Sequence, residues 1–348
     1  MVVNLKNMNK DTFAVHRNKT LLVVEGKHEK SSLLQIVLKC FPEIPINYEN
    51  IVVYGADIYD LYKDIEQEYG KKWYEDKLLE IDIPYIISEK LKLGVKMERN
   101  RFTNIILIFD YERHDPCFDF QKICRMQTHF ISASEDGMLY LNYPMIESYL
   151  DMDTIPCKDY GNKKLSMGMK SGYTYKYPIY TKSILWKYMK LYDNVRKDIK
   201  LKLPEISDAN REELLNSILE ISDDKEIENA LICHIGKYSD NKEIIRFLVK
   251  SIGAKLVSLG FLNEKISYWD KMRWMLTYVV NENIRKAWTI QFTKKKISQE
   301  MERKLYDELD FTDILTKQNE ASLDSQNGFI WILNTCMMFC GEYKFFWK

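Results

Sequence analysis

The stretch from Leu21 to Glu29 reads LLVVEGKHE, and the stretch from Asn104 to Asp115 reads NIILIFDYERHD. Each opens on an unbroken run of Leu, Ile, Val or Phe, the pattern of a strand buried on both faces as in a parallel sheet. Each run stops at an acid: Glu25 in the first, Asp110 and then Glu112 in the second. Open α/β sheets carry their chemistry just beyond the carboxyl ends of such strands. Carboxylates converging there repel one another unless a cation neutralises them, and hard oxygen ligands favour Mg²⁺ or Mn²⁺. The two stretches therefore predict a divalent-metal site on an α/β fold with a mostly parallel central sheet.

Between and around them the elements alternate as in a doubly wound domain. Leu33, Leu34, Val37 and Leu38 sit at helical spacing within residues 28–40. Residues 51–54 read as a short strand, Gly55 as a turn, and Asp57 as the cap of a helix that buries Ile58, Leu61, Tyr62 and Ile65. Residues 71–100 are charged and partly helical, an insertion ahead of the third strand. Pro116 is placed to open a helix, since its missing N–H costs nothing in a first turn. Residues 131–133 and 138–141 read as a strand pair or one bent strand, and Pro144 to Glu147 as a helix start with Glu147 in its first turn.

This order resembles the TOPRIM domain shared by topoisomerases, bacterial primases, some RNA-maturation nucleases and the OLD family of phage-defence nucleases. The residues that carry the resemblance are Glu25-Gly26 after the first strand and Asp110-Tyr111-Glu112 after the third, with Asp115 a few positions on. VVEGKHE is similar to the nuclease members in particular. The likeness spans residues 18 to 150; Glu112 stands where the family usually has a second Asp, and about fifty residues separate the second strand from the third. It implies a Rossmann-like TOPRIM domain over 1–154 with the insertion at 71–100. It also implies Mg²⁺- or Mn²⁺-dependent cleavage of phosphodiester bonds in DNA or RNA, tRNA included. Its nearest analogues point to a phage-defence or abortive-infection toxin. The alternative is a catalytically weak TOPRIM-like binding or regulatory subunit, in which Glu112 marks a lost ion. An rRNA-maturation nuclease would share the first strand, but such enzymes are usually smaller.

The candidate residues each have a second reading. Glu25 is ligand or base, or else a strand-end carboxylate that caps the next helix or pairs with Lys27. Asp110 and Glu112 are ligands. Glu29 is a further ligand or an acid favoured by the helix dipole, and Asp115 is a ligand or a solvated loop residue. Glu147 resembles the acid that OLD-type nucleases place after their last strand, or it complements the dipole of its own first turn. Lys27 holds a phosphate or steadies a leaving oxyanion, or is an ordinary surface residue. His28 and His114 flank the site as general acid/base candidates with imidazole pKa near neutrality. Gly26 permits a tight strand-to-helix turn. No HExxH, no GxSxG and no Gly-x4-Gly-Lys-Ser/Thr loop is present, so the chain is not expected to hydrolyse ATP. By resemblance, a nuclease of this kind works beside a separate ATPase subunit; a homodimer is left open.

The second half, 155–348, reads as mainly helical, with patterns over 243–258, 268–288 and 299–315. It begins basic: residues 158–202 hold twelve Lys or Arg against three acids, with seven Tyr and one Trp. Lys163, Lys164, Lys170 and Lys176 are candidates for phosphate contacts and Tyr175, with Tyr160, Tyr173 and Tyr177, for base stacking. Otherwise YTYKYPIY is an edge strand with its aromatics on one face. Residues 203–230 reverse the balance with nine acids against two bases. The apolar end, 329–347, is too rich to stay exposed and is expected to return to the core. Across 348 residues, 51 basic side chains cancel 51 acidic ones, so no global field draws the chain to nucleic acid or a membrane. Seven cysteines without CxxC spacing, no signal-peptide pattern and no long apolar run predict reduced thiols in a cytoplasmic protein.

Overall fold

The first of the two apolar runs forms β1 (Thr20–Val24), buried along its whole length. It lies between β2 (Ile51–Val53) and β3 (Asn104–Asp110), parallel to both. β3 pairs in parallel with β5 (Gly137–Asn142), and β4 (Ile131–Ser132) closes the edge antiparallel to β5, giving the order β2-β1-β3-β5-β4. Residues 131–142 are thus a strand pair and not one bent strand. The fold is α/β with a mostly parallel five-stranded sheet and a helical C-terminal region. This computed structural model describes residues 19–76, 78–94, 96–111, 113, 115–166, 182–292, 302–324 and 327–347.

Short polar side chains set where the helices begin. Asp57 caps α2 (Ile58–Tyr69) by accepting the Asp60 N–H at 2.9 Å. Asp82 caps α3 (Ile83–Lys90), which lies inside the charged insertion. Asp119 caps α4 (Phe120–His129), so Pro116 does not open this helix but sits in the turn ahead of it. A side-chain acceptor for the first free N–H groups decides the start more strongly than the tolerance of Pro for a first turn. In the C-terminal region the last helical pattern breaks for the same reason. Asp310 accepts the N–H groups of Thr312 and Asp313 at 2.8 and 3.2 Å, separating the helix Glu302–Asp307 from Phe311–Ser322.

Much of the basic stretch is structural. The helix Ile184–Lys202 buries Leu185, Tyr188, Leu191, Tyr192, Val195 and Ile199 and turns its lysines outward. The acidic stretch supplies two more helices, Asp208–Leu219 and Ile227–Gly236, and Glu212 of the first bonds Lys39 at 2.7 Å and Arg196 at 3.2 Å. The long helix Tyr268–Gln291 lies against α1 (Gln35–Cys40); Met272, Met275 and Leu276 of the one and Ile36 and Val37 of the other are all buried. Each such side chain is worth ~1.5–3 kcal/mol, whereas a partly exposed pair such as Arg273–Glu43, at 2.8 Å, adds at most about 1 kcal/mol. Apolar burial holds the seam.

The chain end returns to the sheet. β7 (Phe329–Trp331) pairs antiparallel with β6 (Lys164–Ser166), and Tyr143 and Leu333 exchange backbone hydrogen bonds at 2.9 and 2.8 Å. Cys336–Glu342 then forms a buried helical turn against β5 and β3. Among the described residues no helix is long and apolar enough to cross a membrane.

One buried cation serves this return. Lys286 is 3% exposed, and its Nζ donates to the carbonyls of Tyr160 and Lys163 at 2.7 and 2.8 Å. Burial pulls its amine down from 10.5 to about 7, against the opposing pull of Asp151. The unfolded chain therefore binds more protons between these two values, and stability rises with pH across that window, by on the order of a few kcal/mol. Relative to Lys286→Met, wild type is expected to gain melting temperature from pH 7 to pH 10; a constant difference between the two would show that the amine is not held neutral.

Candidate metal centre at the strand ends

The register of the sheet aligns the acids. Asp110 pairs with Asn142 at the ends of β3 and β5, while Val24, the residue before Glu25, pairs with Ile108. The Glu25 carboxylate accepts the backbone N–H of Asp110 at 3.2 Å, so the first two sequence candidates do meet. Asp110 is only 7% exposed. Asn142 Nδ2 donates to Asp110 Oδ1 at 3.3 Å. Its own Oδ1 accepts the N–H groups of Thr335 and Cys336 at 3.2 and 2.9 Å. Those two fixed donors leave the Asn142 amide one satisfied orientation, NH₂ toward Asp110. The Asp110 carboxyl is thereby held by a fixed N–H donor.

A second pair of acids lies alongside. After β1 the chain enters a helix whose Glu29–Leu34 stretch has π geometry, a form often found at functional sites. The Glu29 carboxylate folds back over Gly26, where an added Cβ would lie 2.7 Å from Glu29 Oε2. Burial raises the Glu29 carboxyl above the usual range, and nearby Glu147 raises it further. Glu147 opens the short helical turn Ile146–Leu150 after β5. Glu29 Oε2 and Glu147 Oε2 are both buried with no hydrogen-bond partner. The buried Cys336 thiol, raised first by its burial, also senses both Asp110 and Glu29. Four carboxylates from β1, its following helix, β3 and the turn after β5 thus share one edge of the sheet.

The remaining candidates divide. Lys27 is exposed and lines a cleft of about 400 Å³ with Glu25, Gly55, Asp57 and Asp115. Asp115 accepts the Cys117 N–H at 2.5 Å, which organises its own loop. His28 is exposed with Nδ1 3.0 Å from Ser32 Oγ. Lys163 turns inward, its Nζ donating to the Asp151 carbonyl at 2.7 Å, which takes it from the phosphate role; Lys164 stays exposed. Glu112, His114, Lys170, Tyr173, Tyr175, Lys176 and Tyr177 lie outside the described residues. Among the described ones, no three His, Cys, Asp or Glu side chains are close enough together to hold an ion as they stand. A larger cavity, about 1060 Å³ and lined by Arg99, Arg125, His129 and Asp136, contains none of the strand-end acids. Sequence reasoning missed Asn142, Asn334 and Cys336, which floor the site.

Gly26 offers a direct handle on Glu29. The atom that its added Cβ would meet is the far end of a flexible side chain, so the carboxylate is displaced while the backbone stays. Gly26→Ala is expected to melt within a few degrees of wild type yet to weaken Mn²⁺ binding about tenfold, ~1.4 kcal/mol. Unchanged Mn²⁺ affinity by calorimetry would remove Glu29 from the site.

No family model, curated protein or solved structure matches this chain.

Proposed function

We propose that this chain is a divalent-ion-dependent nuclease of the TOPRIM type. The observation that carries the reading is the pair of buried, unpartnered carboxylate oxygens on Glu29 and Glu147, beside the contact between Glu25 and Asp110. A buried carboxylate oxygen without a donor is costly unless a cation compensates it. Glu25, Glu29, Asp110 and Glu147, drawn closer together than they stand, are the residues that would hold Mg²⁺ or Mn²⁺; Glu112, which the sequence adds to the set, lies outside the described residues. The ion would supply charge neutralisation at the phosphate and a water of lowered pKa. Asn142 orients the Asp110 carboxyl, and exposed Lys27 stands at the cleft to meet phosphate oxygens or the leaving oxyanion. The parallel order β2-β1-β3-β5, with Glu25 just past β1 and Asp110 closing β3, supports the TOPRIM assignment.

The biological role we propose is that of a phage-defence effector restrained by a separate ATPase subunit, since the sequence carries no phosphate-binding loop of its own. Incubation of the purified protein with plasmid, single-stranded DNA and total RNA tests the activity. Cleavage in Mn²⁺ or Mg²⁺ that EDTA abolishes is the expected result. Binding without cleavage under every ion condition would select the regulatory-subunit alternative.

A further inference from the structure

The β6–β7 ribbon has one inward and one outward face. Leu165 and Ile330 pair inward and are buried, whereas Lys164, Ser166, Phe329 and Trp331 alternate onto the other side. There the Phe329 and Trp331 rings meet edge to face with centroids 4.8 Å apart. Lys164 Nζ lies 3.9 Å from the Phe329 ring centre and 5.4 Å from that of Trp331. Both rings are half-buried, Trp331 in part against the core, and what remains of their surface lies beside a cation. We propose that this face is a base-stacking platform for single-stranded nucleic acid, a reading that rests on the nuclease assignment and names the class of its substrate.

Three observations favour that occupant. The first is chemical: an aromatic face accepts any base, and an adjacent lysine accepts the backbone phosphate. Stacking of a base on a ring outweighs an exposed cation–ring contact, so the bound base displaces the Lys164 ammonium toward the phosphate. The second is size. A ribbon three residues long on each strand is far below the ~1,200 Å² that a stable protein–protein interface buries. A duplex, for its part, hides its base faces within its own stack and offers none to the rings.

The third is position. From Trp331 a few residues of chain lead to the metal-site edge. Leu333 bonds Tyr143 at 2.8 Å, Asn334 Nδ2 reaches the Ile146 carbonyl at 2.7 Å, and the Thr335 N–H reaches Asn142. Three residues of chain span at most roughly 10 Å, so a strand stacked on the platform passes the acids within a few nucleotides. The buried Gln318 side chain clamps the backbone of Trp331 through both its N–H, at 2.8 Å, and its carbonyl, at 3.0 Å. The platform is therefore held rigid independently of the Trp331 side chain itself.

The test is binding of fluorescein-labelled oligothymidylate, oligouridylate and a hairpin duplex, measured by anisotropy in EDTA so that nothing is cut. Two double variants are compared with wild type: Phe329→Ala with Trp331→Ala, and Phe329→Leu with Trp331→Leu, which keeps apolar cover over the core but has no ring face. Hydrolysis of bis(p-nitrophenyl) phosphate in Mn²⁺, a substrate too small to span platform and metal site, is read in parallel. Expected are a single-strand preference in wild type, at least a tenfold loss of affinity in both variants, and unchanged hydrolysis of the small diester. Single-strand affinity in the Leu variant equal to wild type, or equal wild-type affinity for duplex and single strand, overturns the platform. Failure of wild type to hydrolyse the diester counts against the nuclease assignment alone, because the binding is measured without metal.

Discussion

Asp110→Asn is expected to lower ion-dependent phosphodiester cleavage by about a thousandfold or more, ~4 kcal/mol in the barrier. Asp110 ends the central strand β3, is nearly enclosed, and touches both Glu25, through its own N–H, and Asn142. The amide conserves shape but not charge, and a ligand without charge neither holds the ion nor balances the phosphate. Its position is fixed by backbone and by Asn142, so the variant is expected to fold, with a near-ultraviolet dichroism spectrum matching wild type. A single-turnover rate above a tenth of wild type would remove Asp110 from the site. Glu25→Gln is expected to follow the same course.

Glu29→Gln is expected to reverse its effect on stability when metal is added. Without metal, burial first and Glu147 second hold the Glu29 carboxyl above its ordinary value of 4.5. A raised folded-state pKa means that this group's contribution is fully present below the unfolded value and is lost as pH rises through the folded one. At pH 7–8 in EDTA wild type carries that cost and Glu29→Gln does not, so the variant melts a few degrees higher. Glu29 takes up its proton as pH falls through the raised folded value, and the gap closes on the way down to 4.5. In millimolar Mn²⁺ the order inverts, because an ion that binds the folded state alone stabilises it by mass action. Melting curves of the two proteins at pH 5 and 8, with EDTA and with Mn²⁺, test the sign in every arm; a variant that melts lower in EDTA at pH 8 would contradict the crowding of Glu29 and Glu147.

How much of this was readable from the sequence depends on how local each signal is. β1 and β3 were legible because a strand buried on both faces leaves an unbroken apolar run, and the acid that ends it marks the carboxyl edge. The caps at Asp57 and Glu147's place in a first helical turn were legible for the same reason, since each depends on neighbours a few residues away. The floor of the site was not. Asn142 is one polar residue closing an apolar strand, a pattern with several explanations, and its partners Thr335 and Cys336 arrive from 193 and 194 positions away. The sequence predicted that the apolar chain end returns to the core but gave no sign of which strand it would meet. Charge density did not distinguish roles within the basic stretch: Ile184–Lys202 is a helix with one face in the core, and Lys163 turns inward to Asp151. The pairing of Phe329 and Trp331 with β6 was equally out of reach, because that partner strand lies more than 160 residues earlier.

The claim on which everything else rests is that the strand-end acids hold a divalent ion. Isothermal titration of Mn²⁺ into wild type and into the Glu25→Gln/Asp110→Asn double variant, at pH 7.5 and with nucleic acid removed, tests it most directly. Saturable binding to wild type that is absent from the folded double variant is the expected result. No binding to wild type up to millimolar Mn²⁺, or the same isotherm for both proteins, would contradict it.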